Sequence, residues 1–367
     1  MKNTVFGLIC LALSSISYSQ GSSDDNSVSL VFIGDIMGHD SQIASALNES
    51  TGTYSYKGVF DQVGGIISKA DFAIANLEVT LAGPPFKGYP QFSSPDELAV
   101  ACQENGIDVF VTANNHSCDR GKSGVIRTID VLDSLGIDHT GTYRDAGDRE
   151  SSNLLTLEKN GIKLGILNYT YGTNGLPAPA PTIVNLIDKK QMAKDIEQSK
   201  KEQIDKLIVV LHWGLEYKSL PNDKQKDIAD FLFNSGVDVI IGSHPHVLQP
   251  MHYFPKDESH KERFIAYSLG NFVSNQRTRQ RDGGAIVELT FSKVDNTVSL
   301  SDHGYYLTWV NKPKTGSNKF EIVPCAEYEK TQYQGLNEEA VNKMKVFIED
   351  SRTLLNKENT NVQEIKE

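Results

Sequence analysis

The sequence predicts an α/β fold, because short apolar runs typical of strands alternate with stretches that carry apolar residues at helical spacing. The runs are residues 28–33, 72–75, 109–112, 207–211 and 237–241, and each leads into polar residues. The helical stretches are residues 94–105, 121–135 and 222–235. Ligands gather at the carboxyl ends of strands in open α/β sheets, so we expect the polar residues to converge on one site.

The two ends of the chain differ from this pattern. Residues 1–19 place Lys2 before an apolar run and end in small residues, which predicts a secretory signal peptide and an exported protein; an uncleaved anchor is the alternative. Residues 20–27 form a polar linker, and residues 28–335 form the main domain. Residues 336–367 are expected to be a C-terminal helix with a loose tail.

The later elements are predicted by their periodicity. Pro95 follows Ser94 at the expected start of the first helix, where proline is well tolerated. Residues 283–310 alternate apolar and polar side chains, which is typical of antiparallel sheet. Residues 338–355 carry apolar residues at helical spacing and predict the last helix.

Composition excludes several classes of protein. The 367-residue chain has a formal net charge of −11, which argues against a general nucleic-acid binder. No apolar stretch beyond the signal approaches membrane length. Without Cys10 of the signal, three cysteines remain, so the alternatives are one disulfide with a free thiol or three free thiols.

A pair of histidines is the strongest local signal of a metal site. His244 and His246 are separated by Pro245 and follow the apolar run 237–241. Proline fixes its own φ near −65°, so the two imidazoles leave a stiff turn. A surface loop that happens to hold two histidines is the alternative, because this triplet alone is a weak motif.

The ends of the other runs supply further candidate ligands. Asp35, Glu78 and His212 are candidate metal ligands. The alternatives are a helix cap for Asp35, a surface glutamate for Glu78 and a core histidine for His212. Asn115 and His116 form a pair in which one side chain ligates a metal and the other donates a proton. His39, four residues after Asp35, is a further candidate metal ligand. These oxygen and nitrogen groups suit two divalent ions, Mn, Zn or Fe, and indicate hydrolysis.

The order of the motifs resembles the CapA family of capsule, or poly-γ-glutamate, synthesis proteins. The resemblance runs from about residue 28 to residue 272, and it is carried by six segments, residues 34–37, 76–78, 114–116, 212–216, 242–249 and 268–272. That family is similar to the calcineurin-like metallophosphoesterases. The resemblance therefore implies a four-layer αββα sandwich, in which helices flank two mixed sheets.

The resemblance also implies roles for the matching residues. The first metal takes Asp35 and His246, Glu78 bridges, and the second metal takes Asn115, His212 and His244. His116 is then the acid that protonates a leaving group. This sequence departs from the phosphoesterase pattern at Met37, where a histidine is expected, and at Glu78, where aspartate is usual. The first metal therefore lacks a ligand unless His39 folds back.

A second set of residues is expected to bind substrate or assist catalysis. Glu216 is a candidate base, ligand or partner of His212. Asn114 is a candidate for substrate binding or for capping the next helix, and Asn271 belongs to a motif that shapes the pocket. Arg277, Arg279 and Arg281 occupy alternate positions, so an extended backbone would point all three toward an anionic substrate, whereas a solvated loop would not.

Three functions are consistent with these motifs. The favoured one is a metal-dependent hydrolase or transferase at the bacterial surface or in the periplasm, acting on an anionic polymer such as poly-γ-glutamate through a metal-bound hydroxide. The resemblance also suggests a membrane-bound synthesis complex as a partner. The second is a phosphomonoesterase or phosphodiesterase, and the third is a non-catalytic protein that binds or exports the polymer.

Overall fold

A computed structural model of the protein describes residues 26–313 and 320–366, so the predicted signal peptide and most of the linker lie outside the described residues. The strands of the described chain are β1 (Ser27–Ile36), β2 (Leu47–Asn48), β3 (Thr53–Tyr54), β4 (Phe72–Leu77), β5 (Val109–Val111), β6 (Asp138–Thr140), β7 (Thr142–Tyr143), β8 (Leu155–Lys159), β9 (Ile162–Thr170), β10 (Ile183–Val184), β11 (Lys206–His212), β12 (Val239–Ser243), β13 (Met251–Phe254), β14 (Arg263–Ala266), β15 (Asn271–Val273), β16 (Gly283–Val294), β17 (Thr297–Asn311) and β18 (Glu321–Pro324). The helices of the same residues are α1 (Asp40–Ala46), α2 (Asp61–Ile67), α3 (Glu97–Glu104), α4 (Gly121–Leu135), α5 (Ala146–Ser152), α6 (Lys189–Ser199), α7 (Asp223–Ser235), α8 (Cys325–Lys330) and α9 (Glu338–Glu358), with a 3₁₀ turn at Lys200–Glu202.

The larger sheet has a parallel half and an antiparallel half. Its order is β18-β17-β16-β1-β4-β5-β6, and β15 pairs with the carboxyl end of β1. In this sheet β1, β4, β5 and β6 run parallel to one another. The strands β16, β17 and β18 are antiparallel to their neighbours, which confirms the antiparallel prediction for residues 283–310.

The second sheet is also mixed. Its order is β13-β14-β12-β11-β9-β8. The four inner strands run parallel, and the two edge strands pair antiparallel to them. Both β11 and β12 are central and buried along their whole length, so their carboxyl ends are held firmly between neighbours.

The two sheets pack face to face because alternate side chains of a strand point to opposite faces. Val28, Leu30 and Phe32 of β1 share a buried apolar cluster with Ile208 and Val210 of β11. This cluster joins the inner faces of both sheets and forms the central core of the fold.

The intervening side chains face the helices. Val31 and Ile33 of β1 pack in a second cluster with α2, α3 and α4. Val209 and Leu211 of β11 pack in a third cluster with α6 and α7. The result is helix, sheet, sheet, helix, which confirms the predicted arrangement of two mixed sheets flanked by helices.

The predicted helices are present with small shifts in their bounds. The third predicted helix begins after Asn222, whose side chain accepts a hydrogen bond from Gln225 N while Gln225 caps it in return. The second ends before Gly136, whose φ of 67° is the left-handed conformation typical of a helix C-terminus. Among the described residues, no helix is both long enough and apolar enough to cross a membrane.

The C-terminal segment is fixed to both sheets, which corrects the expectation of a loose tail. Thr360 N–H donates to Met251 O of β13 at 3.1 Å, and Tyr305 N–H of β17 donates to Gln363 O at 3.1 Å. The apolar face of α9 also joins the central core through residues such as Phe347. Backbone hydrogen bonds and apolar contact therefore hold the tail against the body of the protein.

The cysteines adopt one of the two predicted alternatives. Cys102, Cys118 and Cys325 are all buried free thiols. Burial raises the pKa of Cys118 to about 11 and raises the pKa of the other two thiols further. None of the three is therefore poised as a thiolate nucleophile.

Candidate metal centre

Polar side chains from both sheets meet where the parallel strands end. Asp35 lies near the end of β1, Glu78 directly follows β4, and His212 ends β11. His244 and His246 follow β12. Each of these five side chains belongs to a residue that is at most 3% exposed. The structure thus brings together residues that are far apart in the sequence.

A close backbone contact fixes the position of Asp35. A Cβ atom at Gly34 would lie 2.2 Å from the carbonyl oxygen of Gly270, so only glycine fits there. The Asp35 N–H donates a hydrogen bond to that same oxygen at 3.0 Å. The start of β15, which carries Asn271, is consequently held against the end of β1.

The turn that carries the two histidines has unusual backbone angles. His244 has φ of 96° and His246 has φ of 57°, both in the region that favours glycine. Such conformations cost on the order of 1–3 kcal/mol each and cluster at functional sites. The Tyr217 N–H donates to Pro245 O at 2.8 Å and supports the turn from outside.

Glu78 is the centre of the site. Its Oε1 atom lies 3.5 Å from Nε2 of His212 and 3.8 Å from Nε2 of His246. Neither carboxyl oxygen has a hydrogen-bond partner among the described residues, although both are buried. Burial, together with the nearby charge of Asp35, raises the pKa of Glu78 well above its usual range.

His212 is held by contacts on both ring nitrogens. Its Nε2 lies 2.8 Å from Oδ1 of Asn115, and its Nδ1 lies 3.1 Å from Oγ of Ser243. Burial lowers the pKa of His212 well below its usual range, and neighbouring His244 lowers it further. A neutral imidazole is the form that can ligate a metal.

The other half of the site is built from a histidine–carboxylate pair. His246 Nδ1 lies 3.0 Å from Asp35 Oδ2 and 3.1 Å from Asn271 Oδ1. The second oxygen of Asp35 accepts a hydrogen bond from Asn76 Nδ2 at 2.8 Å. These contacts orient both the imidazole and the carboxylate toward Glu78.

His244 lies between the other imidazoles and an exposed tyrosine. Its ring centroid is 4.8 Å from that of His212 and 4.5 Å from that of Tyr171. Its Nδ1 is buried and has no hydrogen-bond partner in the described part of the chain. Burial, then the proximity of His246, lowers the pKa of His244 to about 3.

His116 forms a separate pair with a buried aspartate. Its Nδ1 lies 2.7 Å from Oδ2 of Asp119, which also accepts a hydrogen bond from Phe92 N–H at 2.7 Å. The ring of Phe92 meets the imidazole edge to face, with 4.6 Å between centroids. The imidazole is therefore fixed in both position and rotation.

The donor set fits divalent metal ions. Asp35, Glu78 and His212 each offer one ligand atom, and these atoms lie within 4.8 Å of one another. The same holds for Glu78, His244 and His246. Buried polar atoms without partners cost about 1–3 kcal/mol each, and the unpartnered atoms of Glu78 and His244 would be satisfied by a cation. Carboxylate and imidazole without sulfur suit Mn, Zn or Fe.

Met37 and His39 lie outside both groups. The Met37 side chain packs in the apolar cluster beneath the helices, so it does not face the donors. His39 precedes α1, and its Nδ1 lies 3.0 Å from Oε1 of Gln42. The residues described include no metal-ligating group that contains His39.

Asn114 and Asn271 make hydrogen bonds within the scaffold, and their role in substrate binding stays a prediction. Asn114 Nδ2 donates to Leu77 O at 2.7 Å and so joins the ends of β5 and β4. Asn271 Nδ2 donates to Arg281 O at 2.8 Å, while its oxygen contacts His246. Both amides are buried and occupied by protein groups.

The segment that carries Arg277, Arg279 and Arg281 is not extended, so of the two predicted alternatives the loop is the one present. Residues 277–282 form bends and turns instead of a strand. Arg277 packs over the ring of Trp309, and Arg279 pairs with Asp350 on α9 at 2.6 Å. Arg281 lies over the ring of Tyr217. Glu216, the neighbour of Tyr217, is exposed at the rim of the site.

Sequence reasoning missed several residues of the site. Asn76 bonds Asp35 and lies 3.4 Å from His212 Nδ1, and Tyr171 covers His244. Asp119 was detectable, because a carboxylate three residues after a candidate acid in a turn can reach the imidazole. Tyr171 carried no comparable signal, because it follows β9, which was not among the five predicted strands.

The chain is similar to proteins of capsule synthesis. The family model described as bacterial capsule synthesis protein PGA_cap matches residues 29–276. The capsule biosynthesis protein CapA of Bacillus anthracis is 27% identical, over 76% of this chain and 67% of that protein. The PGA biosynthesis protein CapA of Bacillus subtilis is 28% identical, over 84% of this chain and 73% of that protein.

Two solved structures with a partly similar chain trace have lower sequence identity to this protein. The NAD nucleotidase NadN of Haemophilus influenzae has 15% identity and a TM-score of 0.49, over 89% of this chain and 60% of that one. The calcineurin-like phosphoesterase YfkN of Bacillus subtilis has 13% identity and a TM-score of 0.44, over 89% of this chain and 98% of that one. The family match covers more than half of the sequence, and the chain belongs to the bacterial capsule synthesis protein family PGA_cap.

Proposed function

We propose that this protein is an exported, metal-dependent hydrolase or transferase that acts on an anionic cell-surface polymer such as poly-γ-glutamate. Membership of the capsule synthesis family supports the polymer. The environment of Glu78 is the observation that supports a metal-dependent reaction most directly. This buried carboxylate belongs to both ligand groups and has no hydrogen-bond partner among the described residues. Export rests on the predicted signal at residues 1–19, which lie outside the described residues.

The ions would be held by the two overlapping groups. Asp35, Glu78 and His212 form one, and Glu78, His244 and His246 form the other. Asn115 lies beside His212 and adds an amide oxygen. Bound divalent ions would supply an activated water molecule and polarise the bond to be cleaved.

The chain itself supplies the proton. Asp119 engages Nδ1 of His116, which leaves Nε2 for exchange with the substrate. In cleavage of a γ-amide bond, His116 would donate a proton from Nε2 to the leaving amine nitrogen. Phe92 keeps the imidazole from rotating away. The same proton could serve a leaving hydroxyl group, so the residue alone does not select amide over ester.

The test is turnover of poly-γ-glutamate by the mature protein supplied with Mn²⁺ or Zn²⁺. New amino groups and shorter polymer are expected with the wild type, and His116→Ala should lower the rate by about a hundredfold or more. His252→Ala is a matched control, because that histidine lies on β13 and bonds Thr360 in the tail.

Two results would favour a different function. Rapid turnover of an aryl phosphate, with no change in poly-γ-glutamate, would favour a phosphoesterase. Metal-loaded protein that binds the polymer but cleaves neither compound, with or without an acceptor amine, would favour a non-catalytic role in binding or export.

A further inference from the structure

Arg281 has a guanidinium group available beside the candidate metal centre. The group lies 3.4 Å from the centroid of the Tyr217 ring, and that ring lies 6.1 Å from the ring of His246. Tyr217 is 37% exposed, so this side of the site opens to solvent. Arg281 makes no ion pair with a carboxylate in residues 26–313 or 320–366, although the protein as a whole is acidic.

The backbone of Arg281 is held by Asn271, which also contacts His246. Asn271 donates from Nδ2 to the Arg281 carbonyl at 2.8 Å, and its Oδ1 lies 3.1 Å from His246 Nδ1. The ring under the guanidinium is tied to the same turn through the hydrogen bond from Tyr217 N–H to Pro245 O. A ligand bound by Arg281 would therefore lie beside the candidate metal centre.

The neighbouring arginines are committed to other contacts. Arg279 donates two hydrogen bonds of 2.6 Å to Asp350 on α9. Arg277 is largely buried over Trp309, near Asp282, and its burial lowers its pKa. Of these three arginines, Arg281 has the charge that is free to meet a substrate.

We propose that Arg281 binds a carboxylate of the substrate next to the reacting bond, with Tyr217 as the platform that orients the guanidinium. This inference rests on the proposed function and narrows its substrate to a polymer that carries a carboxylate near each cleavable bond. A guanidinium binds a carboxylate through two parallel hydrogen bonds. Because the protein carries a net charge of −11, an acidic polymer requires local positive charge at the point of entry.

The experiment measures equilibrium binding of fluorescent poly-γ-glutamate to the metal-loaded mature protein, alongside an amidated, neutral version of the polymer. Arg281→Gln is compared with Arg281→Lys, which keeps the charge, and with Arg279→Gln, which removes an exposed arginine two residues away. Arg281→Gln should weaken binding of the acidic polymer about tenfold or more and leave the neutral polymer unchanged. Arg281→Lys should keep part of the affinity, and Arg279→Gln should bind as the wild type does.

Binding is measured apart from cleavage, so the two proposals can fail independently. Equal loss for Arg281→Lys and Arg281→Gln, or equal loss for the acidic and neutral polymers, would overturn the inference in favour of a role in loop packing. Wild-type affinity in Arg281→Gln, or a wild type that does not bind the acidic polymer, would also overturn it. Intact binding without cleavage would contradict the hydrolase and leave the role of Arg281 in place.

Discussion

At the scale of single residues, the contact between Asp119 and His116 yields a sharp prediction. Asp119→Asn keeps the size of the side chain but removes the charge that holds Nδ1 at 2.7 Å. We expect kcat on the polymer to fall by about tenfold to a hundredfold, since loss of a partner that orients a functional histidine has that effect. KM and metal content should stay near wild-type values.

Rescue by a conservative variant separates this positioning role from a merely structural one. Asp119→Glu keeps a carboxylate that can reach Nδ1 of His116, so it should recover part of the kcat that Asp119→Asn loses. Full activity in Asp119→Asn would show that Asp119 does not act through His116. Lost metal would instead show that the variant damages the centre.

The sequence predicted the residues of the candidate metal centre better than it predicted the residues around them. Strand ends pointed to Asp35, Glu78, His212, His244 and His246, because apolar strands are easily seen and their polar ends are conspicuous. Asn114 and Asn271 look the same in sequence whether they bind substrate or hold two strands together. The contacts to Leu77 and Arg281 show the role in the scaffold, which the sequence pattern alone does not reveal.

At the scale of elements, Arg352 attaches α9 to its surroundings. It donates to both oxygens of Glu329 on α8, at 2.8 and 2.6 Å, and to both oxygens of Glu364 in the tail, at 2.7 and 2.8 Å. Arg352→Met should lower the free energy of unfolding by about 1–3 kcal/mol, because two partly buried carboxylates lose their partner. Denaturant unfolding near neutral pH measures this difference.

The effect of Arg352 should depend on pH with a defined sign. Hydrogen bonding by Arg352 lowers the pKa of Glu329 in the folded protein. The stabilisation is therefore present above the ordinary glutamate pKa of about 4.3 and is lost as the pH falls through the lower folded value. The difference between wild type and Arg352→Met should shrink below about pH 4.

Arg279 provides the matched control, because it lies outside α9 and pairs with a residue of that helix. It also pairs with a carboxylate of α9, but its side chain is 70% exposed. Surface pairs contribute about 0–1 kcal/mol, so Arg279→Gln should change the stability little. Equal losses for the two variants would contradict the view that the partly buried pairs of Arg352 attach the helix.

Element boundaries followed local sequence where capping residues were present. Asn222 and Gly136 mark helix ends by chemistry that acts within one turn. The position of the tail could not be predicted from local sequence. The tail is held by backbone hydrogen bonds with Met251 and Tyr305, which lie in different sheets. Backbone pairing with distant strands leaves no pattern in a polar segment.

At the scale of the whole molecule, the fold explains why the site forms. The parallel strands of each sheet end at the same edge, and the central apolar core holds the two sheets face to face. Glu78 from one sheet is thereby placed within 4 Å of imidazoles from the other. The charged form of Glu78 is unfavourable in this buried position unless a cation accompanies it.

Metal content of the purified mature protein tests this account most directly. Mass spectrometry of wild type, Glu78→Gln and the double variant His244→Ala/His246→Ala would be combined with thermal unfolding in the presence and absence of chelator. We predict about two equivalents of Mn, Zn or Fe in the wild type, clear loss in both variants, and a higher unfolding temperature in the metal-loaded wild type alone. A wild type that folds, binds no divalent metal and is unaffected by chelator would contradict the metal centre.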